Sequence, residues 1–292
     1  MTIQDALERA KELQKQRRKD SAATPRESGA LSAPGDTTSL AALRVELRAE
    51  PIAETVYAAL NHVQFDSAEC ARNHILASDA QLVEARQAAA AYRLLRGRVM
   101  HKVKSGGWSC IGVTSAGPGE GKTVTALNLA ISIAREKLRT VYLLDLDMRN
   151  ASVFKRVGVS PPVPLSRYFI EGVTPDEVLY ETSIEHLVMA GNREIIPSAS
   201  ELLASNKLDQ LLTHIRRRSK DALIIIDLPP VLSTDEALVV APRLDAAFVV
   251  VAEGLTRRDG LAKALDQLRD FNVAGVVLNR SGSETGLAYY GY

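Results

Sequence analysis

A three-layer α/β fold with a mostly parallel central sheet is predicted by three features of this sequence. From Trp108 onward, short apolar runs alternate with amphipathic helical stretches. The runs are continuous in Val, Ile and Leu, without the polar alternation of a half-solvated strand, so they suit strands covered on both faces. A glycine-rich turn joins the first run to the helix after it. Strand–helix alternation of this kind argues for parallel pairing with helices on both sides of the sheet.

Taken in order, residues 1–20 read as a helix carrying both charge signs, with a basic end at Arg17, Arg18 and Lys19. Residues 21–39 are dense in Ser, Thr, Pro, Gly and Ala, a linker composition expected to be disordered. Residues 40–104 form a mainly helical N-terminal region. Within it, residues 79–100 place Leu82, Ala85, Ala89, Tyr92 and Leu95 on one stripe, with Ser78 or Asp79 as the cap, and 63–66 reads as a short strand. The main domain covers 105–280. Its strands are expected over 109–114, 140–144, 186–190, 222–226, 246–251 and 273–278, and its principal helices over 122–137, 201–218 and 257–271. Residues 281–292 form a flexible polar stem with an aromatic tip. Of eight tyrosines, three (Tyr289, Tyr290 and Tyr292) fall in the last four positions.

Composition narrows the function. Hydrophobic content of 46% and charged content of 24% are ordinary for a soluble domain. A net charge of +1 gives no global field for nucleic acid, and no nucleic-acid partner is expected. Cys70 and Cys110 are too few and too isolated for a disulfide framework or a zinc site, and read as reduced thiols. The N-terminus lacks the apolar core of a signal peptide. No run approaches the roughly 18–20 apolar residues needed to cross a bilayer. The expected location is cytoplasmic, with membrane contact peripheral or through a partner.

The first strand ends in Thr114-Ser-Ala-Gly-Pro-Gly-Glu-Gly-Lys-Thr123, which fits G-x-x-x-x-G-K-[ST] with Ala116 in the first position. Gly117, Gly119 and Gly121 let the loop curl so that backbone N–H groups point inward. Those donors and the positive end of the next helix bind phosphate oxygens. Lys122 adds a point charge, and the Thr123 hydroxyl is a Mg²⁺ ligand. Two further acidic sites lie at strand ends, Leu143-Leu-Asp-Leu-Asp-Met-Arg149 and Ile225-Ile-Asp-Leu-Pro-Pro230. Ligands of open α/β sheets bind beyond the carboxyl ends of the strands. Asp145, Asp147 and Asp227 are therefore expected on the same rim as Lys122, where they suit a hydrated Mg²⁺.

From Ala90 to the C-terminus the chain resembles the bacterial tyrosine kinases, the P-loop autokinases of capsule and exopolysaccharide assembly. The resemblance rests on the T-S-x-x-P-G-E-G-K-T loop, the apolar-D-x-D-x-R element ending at Arg149, the D-x-P-P element at Asp227, and the terminal tyrosines. It implies an ATP-dependent protein-tyrosine autokinase, with ATP bound by Gly117, Pro118, Gly119, Glu120, Gly121, Lys122, Thr123 and Val124. Thr123, Asp145 and Asp227 would serve Mg²⁺, and Asp145 or Asp147 would orient and deprotonate the incoming hydroxyl. Arg149 would stabilise the transferring phosphoryl or fix the aspartates. Asn279 resembles an adenine-contacting asparagine. Tyr289, Tyr290 and Tyr292 would be the phosphoacceptors, served by the site of a neighbouring subunit. The implied partner is a membrane-embedded polysaccharide co-polymerase or chain-length regulator, which activates the kinase. Residues 62–100 are similar to the pre-kinase region of autokinases of exosortase-type loci. One departure concerns self-association: of the family's E-x-x-R-x-x-R, Arg93 and Arg96 are present, but Ala90 holds the acidic position, which shifts the contact to another pair such as one using Glu84.

Two other functions share these motifs. A positioning ATPase of the ParA/MinD type has the same fold but usually a second lysine in the loop, where Gly117 stands here. A regulatory scaffold would bind ATP and transfer phosphate poorly.

Overall fold

The computed structural model describes residues 59–281 apart from 80–82, 84 and 193. In chain order its elements are β1 (Asn61–Val63), α1 (Ser67–Arg72), α2 (Arg86–Gly106), β2 (Cys110–Ser115), α3 (Lys122–Ala134), β3 (Val141–Asp145), α4 (Val153–Arg156), α5 (Leu165–Ile170) and α6 (Pro175–Val178). There follow β4 (Tyr180–Thr182), β5 (Leu187–Ala190), α7 (Ala199–Ala204), α8 (Asn206–Arg218), β6 (Leu223–Asp227), α9 (Glu236–Val240), β7 (Ala246–Ala252), α10 (Arg258–Gln267) and β8 (Val273–Asn279).

One sheet holds the strands in the order β1-β4-β5-β3-β6-β2-β7-β8. Every pairing is parallel except β4 with β5. Consecutive residues of the central strands feed opposite cores, as the period of two requires. Tyr142, Leu144, Ile224 and Ile226 lie in one, with Leu208, Leu211, Leu212 and Ile215 of α8. Leu143, Ile225, Ile111 and Val113 lie in the other, with Leu127, Ile131 and Ile133 of α3 and Val99 and Val103 of α2. These are the three layers expected. The central strands are fully buried, which explains their unbroken apolar runs.

Local chemistry explains where element ends depart from expectation. The strand expected over 63–66 is β1, ending at Val63. Asp66 instead caps α1, its carboxylate accepting from Ala68 N (2.8 Å) and Glu69 N (3.0 Å). β1 pairs with β4, so this segment joins the sheet of the phosphate loop. The helix expected over 79–100 appears as α2, displaced to Arg86–Gly106 and ended by Gly107 at φ +65°. Its apolar stripe runs on from Ala89 to Val99 and Val103. The helix expected over 201–218 breaks at Ser205, whose backbone is extended, into α7 and α8. Residues 1–58 and 282–292, including the charged N-terminal segment, the linker and the three terminal tyrosines, lie outside the described residues.

Candidate active site

The loop between β2 and α3 is held open by its glycines and clamped from outside. Gly119 and Gly121 have φ of +77° and +92°, where a side chain is strained. At Gly121 there is also no room: a Cβ would lie 2.0 Å from Asn279 Nδ2. Asn279, the last residue of β8, donates that amide to Glu120 O (3.0 Å), and Arg280 donates to Gly119 O (2.7 Å). The Glu120 side chain is buried inside the loop. It accepts from Gly117 N (3.1 Å) and from the Thr256 hydroxyl (2.6 Å). Glu120 therefore braces the loop from within, while Pro118 and Gly119 face solvent and Val124 packs partly into the α3 core.

α3 opens at Lys122 with its backbone N–H groups directed at the loop, a ready phosphate site. Lys122 is only 7% exposed. Its Nζ lies 2.7 Å from Asp147 Oδ2 and 3.4 Å from Asp227 Oδ1. The Thr123 hydroxyl donates to Asp227 Oδ2 (2.6 Å) and has Ser152 Oγ 3.4 Å away. The β3–β6 register sets Asp145 directly beside Asp227. Asp145 is oriented by backbone donors: Ser152 N (2.9 Å) and Val153 N (3.0 Å) to Oδ2, and Asp147 N (3.2 Å) to Oδ1. Asp147 Oδ1 accepts from Asn150 N (3.1 Å).

Asp145 and Asp227 are shifted by this crowding. Burial, then the neighbouring Asp227, push the Asp145 carboxyl up to about 7. Burial raises Asp227 as well, against the pull of Lys122 and the Thr123 hydrogen bond. Burial opposes the Lys122 ammonium, but Asp227 and Asp147 outweigh it and hold its pKa above the ordinary value. A hydroxyl and two carboxylates at one point form a hard-oxygen donor set suited to Mg²⁺ sharing ligands with phosphate. The residues present fit that pair.

The site residues expected from sequence divide as follows. Lys122, Thr123, Asp145, Asp147 and Asp227 meet in one buried patch, and Asn279 lies against the loop. Arg149 reaches neither aspartate: its Nε is 2.5 Å from Glu236 Oε1 at the start of α9. Glu236 is buried, its Oε2 has no hydrogen-bond partner among the described residues, and sequence reasoning missed it. The signal was an acid opening the apolar run Glu-Ala-Leu-Val-Val. Of the arginines weighed for self-association, Arg96 is tied within its own chain, to Glu136 Oε1 (2.9 Å) and Ser132 O (3.0 Å). Arg93 is exposed, and Glu84 lies outside the described residues.

Comparison with known proteins bears on this geometry. The family model described as "ParA: NUBPL iron-transfer P-loop NTPase" matches residues 108–285. Tyrosine-protein kinase CpsD of Streptococcus pneumoniae serotype 4 is 32% identical over 58% of this chain and 75% of its own length. The chain belongs to the bacterial tyrosine kinases. Within the ParA-like P-loop NTPases it is thus a protein-tyrosine kinase with a nucleotide-binding fold. Tyrosine-protein kinase YwqD of Bacillus subtilis is 26% identical to this kinase over 68% of its chain and 85% of YwqD. Among solved structures, the VpsO kinase domain superposes with a TM-score of 0.60 at 26% identity, covering 68% of this kinase and 97% of that chain. The kinase domain of Escherichia coli ETK gives 0.61 at 25% identity, covering 69% and 79%.

Proposed function

We propose that this kinase transfers the γ-phosphoryl of MgATP to the tyrosines of its own C-terminal tail, Tyr289, Tyr290 and Tyr292, on a neighbouring copy. The observation that carries the reading is the convergence of Lys122, Thr123, Asp145, Asp147 and Asp227 on one buried patch beside the phosphate loop. Phosphoryl transfer asks mainly for positioning and charge neutralisation. The loop amides and Lys122 hold the phosphates, with Asn279 toward the base. Thr123, Asp145 and Asp227 would hold Mg²⁺, which when bound would neutralise phosphate charge. Asp145 or Asp147 orients the tyrosine hydroxyl and takes its proton as the new O–P bond forms and the bond to the β-phosphate oxygen breaks. A free phenol titrates near pH 10. A nearby carboxylate that accepts the proton late in the reaction therefore suffices. Arg149, carried by Glu236, stabilises the transferring group.

The biological setting follows from the family resemblance. It is control of exopolysaccharide or capsule synthesis or export, with a membrane-embedded co-polymerase or chain-length regulator as the activating partner. The kinase then works in the cytoplasm at the membrane's inner face. The test is incubation of purified chain with ATP and Mg²⁺, followed by mass spectrometry of the C-terminal peptide. Phosphate on the tail tyrosines is expected, and a drop of at least about tenfold in Asp145→Asn and in Asp147→Asn, roughly 1.4 kcal/mol of transition-state stabilisation. Labelling that persists after all three tyrosines become phenylalanine would move the acceptor elsewhere. Phosphate release without protein modification would favour a positioning ATPase, the alternative that the ParA match over 108–285 keeps in view.

A further inference from the structure

The nucleotide edge of the sheet is where the parallel strands end. At the opposite edge, where β3, β6 and β2 begin, the structure gathers a different set of side chains. The turn from α3 into β3 carries Lys137, Leu138 and Arg139, with Lys137 at φ +55°. Leu138 is 78% exposed, the most exposed large hydrophobic residue described. The next strand start, β6, follows Arg216, Arg217 and Lys220, all exposed. The next, β2, follows Lys102 and Lys104 of the last turns of α2, and then Trp108, half-buried over Gly106.

These segments adjoin in space. Leu223 N donates to Thr140 O (3.0 Å), Ile224 N donates to Ser109 O (2.7 Å), and Arg216 Nε reaches Ser109 Oγ (3.4 Å). Two strand spacings, about 10 Å, separate the β3 turn from Trp108. Most acids nearby are already engaged. Asp245 Oδ2 accepts from Ser109 N (2.7 Å) and Cys110 N (2.8 Å). Glu185 pairs with Lys137, Glu136 with Arg96, and Asp176 with Arg218 and His214. Glu136, Glu185 and Asp221 are exposed acids among the cations, and the first two are the paired ones.

We infer that this strand-start edge docks directly on an anionic lipid bilayer, with Leu138 entering the headgroup region and the flanking Lys and Arg side chains taking lipid phosphates. An exposed leucine between two cations on a tight turn suits a lipid interface, where apolar and basic groups are satisfied at one depth, while Trp108 packs partly on the core beside that edge. Nucleic acid would reward the cations and leave Leu138 in water. The nucleotide edge then faces away from the membrane, open to a tail from another copy. The inference concerns binding alone and stands whether or not the tail is the phosphoacceptor.

The test is co-sedimentation of the full chain with phosphatidylglycerol–phosphatidylcholine vesicles and with phosphatidylcholine vesicles. The chain has a single tryptophan, Trp108, so its emission and its quenching by brominated lipid report this edge alone. The expected result is binding to anionic vesicles that weakens with salt, with a blue shift and quenching of Trp108. Leu138→Glu with Arg139→Glu, and separately Arg216→Glu with Arg217→Glu, should each lower partitioning at least about tenfold, since each basic residue near an anionic surface adds roughly a kcal/mol. Those residues lie outside the nucleotide site, so nucleotide affinity should not move. No binding to anionic vesicles would overturn the inference. So would binding without a Trp108 response, as residues 1–58 could give, or binding unchanged in both variants. Duplex DNA retained by this edge while vesicles are not would assign it to nucleic acid instead.

Discussion

Lys122→Met tests the electrostatics of the site independently of catalysis. The Lys122 ammonium lies 2.7 Å from one buried carboxylate and 3.4 Å from another. At an effective dielectric constant of about 20, these separations correspond to about 6 and about 5 kcal/mol of attraction. Most of that offsets the cost of burying the ions. Removing one partner of a buried group of charges typically costs about 3–5 kcal/mol, because the others stay buried and unpaired. The variant should lose that much stability near pH 8. The sign of the pH dependence follows from linkage. A carboxylate whose folded pKa is raised contributes stability that is fully present below its unfolded pKa, about 4, and lost as pH rises through the folded value. Asp145, at about 7, and Asp227 are raised already, and loss of Lys122 raises them further. The deficit should therefore shrink on acidification, by about 1.4 kcal/mol per pH unit for each proton that the folded variant holds and the folded wild type does not. Urea denaturation at about pH 8 and about pH 6 measures this, and Asp147→Asn added to the variant should return part of the loss. Equal stabilities of variant and wild type near pH 8, or a deficit that does not change with pH, would refute the reasoning. The outcome also governs how an inactive Lys122→Met is read, since a site whose carboxylates have rearranged is inactive whatever the lysine does for phosphate.

Two other substitutions separate positioning from stability. Gly121→Ala puts a Cβ 2.0 Å from Asn279 Nδ2 at a backbone φ of +92°. It should weaken nucleotide binding at least about tenfold in a fluorescence titration, and adding Asn279→Ala should recover only part, because the backbone strain of about 1–2 kcal/mol remains. Glu236→Ala releases Arg149 and removes a buried carboxylate that has one unpartnered oxygen. Melting should change by less than about 1 kcal/mol, because the lost pair is offset by the lost burial cost. The phosphorylation rate should fall while nucleotide affinity holds, and an unchanged rate would deny Arg149 its role.

What the sequence made legible was whatever repeats or sits close along the chain. The strands β2, β3, β6 and β7 lie within a residue or two of their apolar runs, because strands covered on both faces leave no polar positions to blur their ends. The phosphate loop was legible because its spacing is fixed by a backbone that must curl around oxygen atoms. Asp145, Asp147 and Asp227 were placed on one rim by strand polarity, but their side-by-side register came only with the sheet. Two contacts had no local signal at all. Thr256 meets Glu120 across 136 residues, and Arg149 meets Glu236 across 87. β1 and β4 have three residues each, too short for periodicity to reveal, and both owe their existence to pairing at the sheet edge. The break at Ser205 was legible in Ser205-Asn206, residues that favour caps over helix interiors, but the helical periodicity on either side masked it.

Helix polarity separates the two edges of the sheet electrically. Helices that follow strands begin at the nucleotide edge with free N–H groups, and those that precede strands finish at the other edge with free carbonyls. Basic residues in a last turn are stabilised by those carbonyls, so Lys104 of α2 and Arg216, Arg217 and Arg218 of α8 need no lipid to explain them. Leu138, Arg139 and Lys220 are different. They lie in turns beyond the helix ends, and a leucine 78% exposed gains nothing from a helix dipole and loses its burial energy. A dipole alone therefore predicts that replacing Leu138 with a polar residue changes nothing but solubility. A membrane-facing edge predicts that the same change detaches the chain from anionic vesicles while every helix keeps its charges. Leu138→Ser, which leaves all the cations in place, distinguishes the two accounts.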